Sequence, residues 1–278
     1  MRKRAAGAAG AALIAALAWR ALWQEPRMGV VRRLTLRLPA WPAELAGLRV
    51  ALVADLHAGA PHIDEARIER VVRQVNAEAP DLVALLGDYV DRNVSFGRRR
   101  VAPEAVAERL ARLRAPRGVF AVLGNHDWTN AGPRMGFALR AAGITVLEDG
   151  AAPAGGPLHV VGFSDPRVRL PDVDRALAGV PAGAAVLALS HDPDLFPAIP
   201  PRVALTVAGH THGGQVAVPR LRRPVVPSRF GERFVRGHVV ERGRHLYVTS
   251  GIGTSGHPVR LLAPPEVVVL RLEPQDAE

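Results

Sequence analysis

Five apolar runs in this chain each stop at a residue able to hold a metal ion or a proton. They are Leu48 to Ala54, Asp81 to Leu86, Gly118 to Leu123, Val186 to Ser190 and Arg202 to Ala208. Near-continuous hydrophobic runs of this length read as strands buried on both faces, which need packed layers on either side of a sheet. Between them, Ile63 to Glu78 places Ile68, Val71, Val72 and Val75 at helical spacing, and Pro80 stops that helix. Pro103 to Leu113 opens with proline in the first turn of a second helix, and a third is expected around Gly136 to Ala142. Shorter strands are expected near 144–147, 158–163, 247–250 and 267–272, and an alternating one at Val30 to Leu38. Strands and helices in alternation define an α/β chain.

Composition removes other classes. A hydrophobic fraction of 48% with 22% charged residues is ordinary for a globular protein and excludes collagenous, disordered and coiled-coil chains. Cysteine is absent, so disulfide frameworks, thiolate metal sites and cysteine nucleophiles are excluded together. The net charge of +10 invites a nucleic-acid reading, but Lys3 is the single lysine and the other basic residues are all arginine. Residues 1–44 hold eight basic residues against Glu25 and Glu44, a net +6 that leaves +4 for the rest of the chain. A basic arm beside an apolar stretch fits an anionic membrane surface better than a nucleic-acid groove. Aromatic content of 5% also argues against base stacking, so no nucleic-acid partner is expected.

The polar residues at the strand ends carry the chemistry. Asp55-x-His57, Gly87-Asp88-x-x-Asp91, Gly124-Asn125-His126-Asp127, Ser190-His191-Asp192 and Gly209-His210-Thr211-His212 follow the five runs in order. A lone Asp after a strand is commonly a turn residue, and a lone loop histidine is usually solvated. Five such endings at one edge are another matter, because ligands of open α/β sheets gather outside the carboxyl ends of the strands. Carboxylate, imidazole and amide donors suit first-row divalent ions, and seven of them are too many for one ion. Glycines before Asp88, Asn125 and His210 let the backbone turn tightly there.

In this order the four motifs Asp-x-His, Gly-Asp-x-x-Asp, Gly-Asn-His-Asp and Gly-His-Thr-His resemble the calcineurin-like metallophosphoesterase superfamily. The likeness covers roughly residues 48–273. The runs Gly209-His210-Thr211-His212-Gly213-Gly214-Gln215 and Ser250 to Gly256 further resemble its membrane-anchored bacterial subgroup, which includes YaeI- and YkuE-type phosphodiesterases and some UDP-diacylglucosamine diphosphatases. The resemblance implies a four-layer sandwich of two mixed β-sheets flanked by helices. It implies one ion held by Asp55, His57, Asp88 and His212, and a second held by Asp88, Asn125, His191 and His210, with Asp88 bridging. Manganese, iron, zinc and nickel all suit these donors. His126 is implied as general acid or charge stabiliser at the leaving oxygen, oriented by Asp91. Arg92, directly after Asp91, reads either as a fork for a phosphate oxygen or as an exposed structural arginine. The implied reaction is in-line attack on phosphorus by a metal-bridging hydroxide. A nuclease and a non-enzymatic scaffold on the same fold are the competing readings, and the complete ligand set argues against the scaffold.

The amino terminus differs in composition from the rest of the chain. Arg2, Lys3 and Arg4 precede an uncharged stretch from Ala5 to Trp19, short of the ~20 residues of a full span. A cleaved signal peptide, an uncleaved anchor and a helix lying on the membrane all fit. The anchor is the expectation, with residues 1–24 as the segment, 25–278 as the catalytic domain, and an inner-membrane location. Both flanks are basic, so charge does not choose the side of the membrane. His62, His159, His238, His245 and His257 read as structural or solvated, His257 being nearest a glycine-rich turn. Pro219 to Arg236, which interleaves arginines with Leu221, Phe230 and Phe234, reads as a solvated hairpin or as a substrate contact.

Overall fold

A computed structural model describes residues 2–39, 41–91, 100–218 and 226–275. The strands are β1 (Val30–Leu38), β2 (Leu48–Val53), β3 (Leu82–Leu85), β4 (Val119–Ala121), β5 (Thr145–Val146) and β6 (Gly150–Pro153). β7 (Leu158–Gly162), β8 (Ala185–Leu189), β9 (Leu205–Ala208), β10 (Gly237–Glu241), β11 (Arg244–Val248) and β12 (Glu266–Pro274) follow. The helices are α1 (Arg2–Trp19), α2 (Glu65–Ala77), α3 (Pro103–Leu110), α4 (Asn125–Ala131), α5 (Pro133–Ala141) and α6 (Val173–Ala178).

Two six-stranded sheets stack face to face, one in the order β1-β12-β2-β3-β4-β5 and the other β10-β11-β9-β8-β7-β6. The first is parallel apart from the antiparallel pair β12 and β2. In the second, β10 and β6 run antiparallel to their neighbours. Side-chain alternation builds the layers. Val50 and Leu52 face inward with Leu187, Leu205 and Val207 in the core between the sheets. Ala51 and Val53 face outward and pack under Ile68, Val71 and Val75 of α2, with α3 and α5 beside them. Phe163, Val186 and Ala188 meet Leu177 of α6 on the far side. Each buried Val, Leu, Ile or Phe among them contributes roughly 1.5–3 kcal/mol. The result is the expected four-layer sandwich, helix on sheet on sheet on helix.

Local signals place the layers. Asp64 caps α2 by accepting from the Arg67 backbone N–H at 2.7 Å. Two short strands escape a reading of the sequence. Gly150–Pro153 has no β-branched residue and forms an edge strand only because β7 offers it a partner. Gly237–Glu241 pairs with β11 across a two-residue turn.

α1 is a single helix, and Leu13, Ile14, Leu17 and Trp19 on it are exposed, as are Leu22 and Trp23 beyond it. Among the described residues no helix is long and apolar enough to cross a membrane. The chain just after α1 is fastened to the sandwich. Ala21, Glu25 and Pro26 are buried, the Ala21 carbonyl accepts from the Arg260 backbone at 2.9 Å, and the Glu25 carboxylate accepts from the Ala263 backbone at 2.7 Å.

Candidate metal centre

The carboxyl ends of β2, β3 and β4 in the first sheet meet those of β8 and β9 in the second at one end of the sandwich. Donors from both sheets therefore converge, rather than lining one sheet edge. Asp55, His57 and His212 form one buried group, and Asp88, His191 and His210 another. His57 Nε2 lies 3.1 Å from His212 Nε2, and His212 Nε2 lies 3.7 Å from Asp55 Oδ1. In the second group, His191 Nε2 is 3.0 Å from His210 Nδ1. Asp88 joins the two: its Oδ2 is 3.4 Å from His57 Nε2 and 3.3 Å from His191 Nε2. One carboxylate oxygen thus stands between both sets of imidazoles.

The backbone reaches these positions under strain. Asp55, His57, Asp88, His210 and His212 all have φ between 47° and 68°, the left-handed region that costs a non-glycine residue about 1–3 kcal/mol. Gly87, at φ 90°, does turn the chain as its sequence position suggests. Gly124 works differently: its φ is −96°, and a side chain there would collide with the Asp88 carboxylate. It is needed for close approach, not for its turn. The Asn-His-Asp motif that follows opens helix α4 instead of lying in a loop.

Hydrogen bonds fix which nitrogen of each ring faces the centre. His191 Nδ1 donates to the Leu86 carbonyl at 2.7 Å, leaving Nε2 inward. His210 Nε2 donates to the Pro227 carbonyl at 3.2 Å, leaving Nδ1 inward. Such outer partners orient metal-binding imidazoles. The guanidinium of Arg260, wholly buried, lies 3.3 Å from His212 Nδ1 and donates to the Ser250 and Ala263 carbonyls. Because Arg260 also holds Ala21, the arm after α1 reaches within one residue of the centre.

Electrostatics favour a cation here. Burial lowers His57 to about 4, and burial with neighbouring imidazoles holds His210 and His212 well below the usual histidine range. Neutral rings keep their lone pairs for a metal. Burial raises Asp55 to about 7, with the Asp88 charge adding to it. Burial also opposes the charge of Asp88, yet His191 and His57 hold that carboxyl well below its usual range. His191 is held well above its own, Asp88 outweighing burial. Asn125 Oδ1 is buried without a hydrogen-bond partner, as a donor awaiting an ion is. The residues fit two divalent cations.

His126 sits at the mouth, its ring centroid 4.8 Å from that of His57. Its Nε2 lies 3.4 Å from Ser255 Oγ. Asp91 Oδ1 is 3.9 Å from His126 Nδ1, close enough for charge interaction and too far for a hydrogen bond. Arg92 and residues 219–225 fall outside the described residues. The rest of the 219–236 segment is no free hairpin, since Pro227 supports His210 and Phe234 is buried against Phe196. His257 is exposed.

Reading the sequence misses Asp127. Its carboxylate accepts from the backbone N–H groups of Asp88 and Tyr89 at 2.8 Å and of Gly124 at 2.9 Å. It ties the Asp88 turn to the start of α4, while burial, then the Asp88 charge, raises it to about 7. Its place directly after Asn-His is the signal that points to it.

Paired ligand clusters at one end of a two-sheet sandwich form a candidate two-ion centre. The family model for calcineurin-like phosphoesterases matches residues 48–214, and the chain belongs to that family, which is dinuclear-metal dependent. Among curated relatives, the uncharacterized metallophosphoesterase YkuE of Bacillus subtilis is 27% identical over 91% of this chain and 88% of its own length. Phosphodiesterase YaeI of Escherichia coli is 32% identical, with 85% and 86% covered. The UDP-2,3-diacylglucosamine pyrophosphatase LpxG of Chlamydia trachomatis is 26% identical, with 89% and 90% covered. A solved 5'-nucleotidase precursor from Thermus thermophilus is 19% identical with a TM-score of 0.47, and this chain spans 56% of its length.

Proposed function

We propose that this hydrolase acts on phosphodiester or pyrophosphate bonds at a membrane surface, through two ions that share Asp88. The observation that carries the site assignment is the position of Asp88 Oδ2, within 3.4 Å of imidazole nitrogens from both clusters. Asp55, His57 and His212 would hold the first ion with Asp88, and Asn125, His191 and His210 the second. Bound ions supply an activated water and neutralise charge on the phosphoryl oxygens. The chain's own part is to present buried, fixed donors. Asp55 stays in place by accepting the His210 backbone N–H at 3.1 Å, and Asp88 Oδ1 by accepting that of His126 at 2.9 Å. His126, half exposed beside His57, is placed to donate its proton to the leaving oxygen.

Two features support the membrane reading. Leu13, Ile14, Leu17, Trp19, Leu22 and Trp23 are exposed beside Arg20 and Arg27, an apolar and cationic surface suited to a lipid interface. The segment after them is fastened through Arg260 to the metal centre, which keeps substrate chemistry near that surface. A lipid-linked nucleotide is the substrate class this arrangement favours, in keeping with the named activity of the chlamydial relative.

Hydrolysis of a UDP-linked diacylglucosamine and of bis-p-nitrophenyl phosphate, by metal-stripped protein refilled with Mn²⁺, separates the parts of this reading. The expected result is metal-dependent turnover of both with strong preference for the lipid nucleotide. Turnover of the chromogenic diester alone would remove the lipid substrate and keep the hydrolase.

A further inference from the structure

A cluster of cationic side chains that shares no residue with the metal centre lies where the chain turns from β2 into α2. His62, Asp64, Arg67 and Arg70 line a cavity of about 380 Å³ there, together with Arg27 of the arm after α1. Ligand pockets run from roughly 300 to 1,000 Å³. Three arginines share this wall with one carboxylate, and that carboxylate is engaged, Asp64 Oδ1 accepting the Arg67 backbone N–H at 2.7 Å. Glu25, the acid of the arm, pairs with Arg20 at 3.3 Å instead. Arg67 is 7% exposed. Its terminal nitrogens donate to the Arg27 carbonyl at 3.2 Å and to the Met28 carbonyl, and its Nε is buried with no hydrogen-bond partner. Burial, and then the Arg70 charge, lowers Arg67 from the ordinary arginine value.

A buried guanidinium without an anion is costly, and native proteins pair such charges. The two carbonyls on Arg67 satisfy hydrogen bonds but carry no charge. The cavity also borders the exposed apolar chain. The Arg27 guanidinium lies 3.2 Å from the centre of the Trp23 ring, and that ring stacks on Trp19 at 5.5 Å and meets His62 edge-on at 6.0 Å. Exposed tryptophans of this kind sit at headgroup level in a bilayer. We propose that this pocket binds the phosphate group of an anionic lipid headgroup. Guanidinium forks match phosphate oxygens, and the bound charge supplies the anion that Arg67 lacks. Because α2 starts at the end where β2 delivers Asp55 and His57, a headgroup held here keeps the metal centre at the membrane surface. The inference rests on the membrane reading above and adds to it a defined site for one phosphate.

The test uses the full-length, Mn²⁺-loaded protein, sedimented with phosphatidylcholine vesicles that contain or lack phosphatidylglycerol. Arg67 also ties two carbonyls of the arm, so the exposed Arg70 is the residue to change. Wild type should bind the phosphatidylglycerol vesicles at least about tenfold more tightly than the neutral ones. Arg70→Gln should melt with wild type and bind those vesicles at least about tenfold more weakly. Arg73→Gln removes the same charge from the next turn of α2, outside the cavity, and should weaken binding no more than about fivefold. Equal losses in the two variants would show diffuse charge attraction and overturn the pocket. Unchanged binding by Arg70→Gln would overturn it as well, with the membrane reading intact. Failure of wild type to bind either vesicle defeats the membrane reading. Inorganic phosphate then decides the pocket: if it raises the melt of wild type and not of Arg70→Gln, the site takes free phosphate and its lipid source is overturned. Without that difference the pocket falls too.

Discussion

Replacing Asp88 with alanine should cut turnover by several orders of magnitude and weaken both metal sites at once. The carboxylate reaches both clusters, with Oδ2 3.4 Å from His57 Nε2 and 3.3 Å from His191 Nε2. Its loss leaves two sets of largely neutral imidazoles with no shared anion to hold the cations together. Metal ions contribute several kcal/mol of charge stabilisation, and about 1.4 kcal/mol is a factor of ten, so kcat/KM should fall roughly 10³–10⁴-fold. Folding is the necessary control. Oδ1 accepts the His126 backbone N–H at 2.9 Å, but Asp127 independently holds the Asp88 turn through its backbone, so the variant should keep a cooperative melt. A folded Asp88→Ala protein with near-normal turnover contradicts the shared-carboxylate site.

His126→Ala should separate catalysis from metal binding. The ring lies at the mouth, packed edge-on to His57. Its Nε2 lies 3.4 Å from Ser255 Oγ, and the ring belongs to neither of the two ligand clusters that Asp88 joins. Metal content should therefore match wild type. Loss of a positioned general acid lowers rates by about 10²–10⁴-fold, most for substrates whose leaving group needs a proton. A p-nitrophenolate leaving group needs little help, so the deficit should shrink with the chromogenic diester and grow with an alkyl ester. An equal deficit with both would show that His126 stabilises charge without donating a proton. Loss of metal in this variant would place the residue among the ligands, consistent with the grouping of His57, Asp91 and His126 within one donor cluster.

Why the centre was legible lies in its punctuation. A two-face-buried strand has no room for a charge, so Asp55, Asp88 and His191 mark where each strand leaves the sandwich, and the sheet edge follows. The layers followed for the same reason, since Ile68, Val71, Val72 and Val75 recur at helical spacing. What stayed hidden is carried by backbone atoms or by partners distant in sequence. The left-handed conformations of five proposed ligands come from the packing of their turns and leave no mark on residue type. Pro227 supports His210 through a carbonyl, which every residue has. Glu25 meets Ala263 across 238 positions, and Arg260 looks like any arginine until it is found wholly buried. β6 is hidden because Gly150–Pro153 lacks strand propensity and pairs only where β7 supplies an edge.

The central claim is that two ions share Asp88, and anomalous diffraction from crystals of the Mn²⁺-loaded protein tests it most directly. Two manganese peaks about 3.5–4 Å apart, on either side of Asp88, are the predicted result: one among Asp55, His57 and His212, the other among Asn125, His191 and His210. A single peak, or two peaks that do not have Asp88 between them, would contradict it.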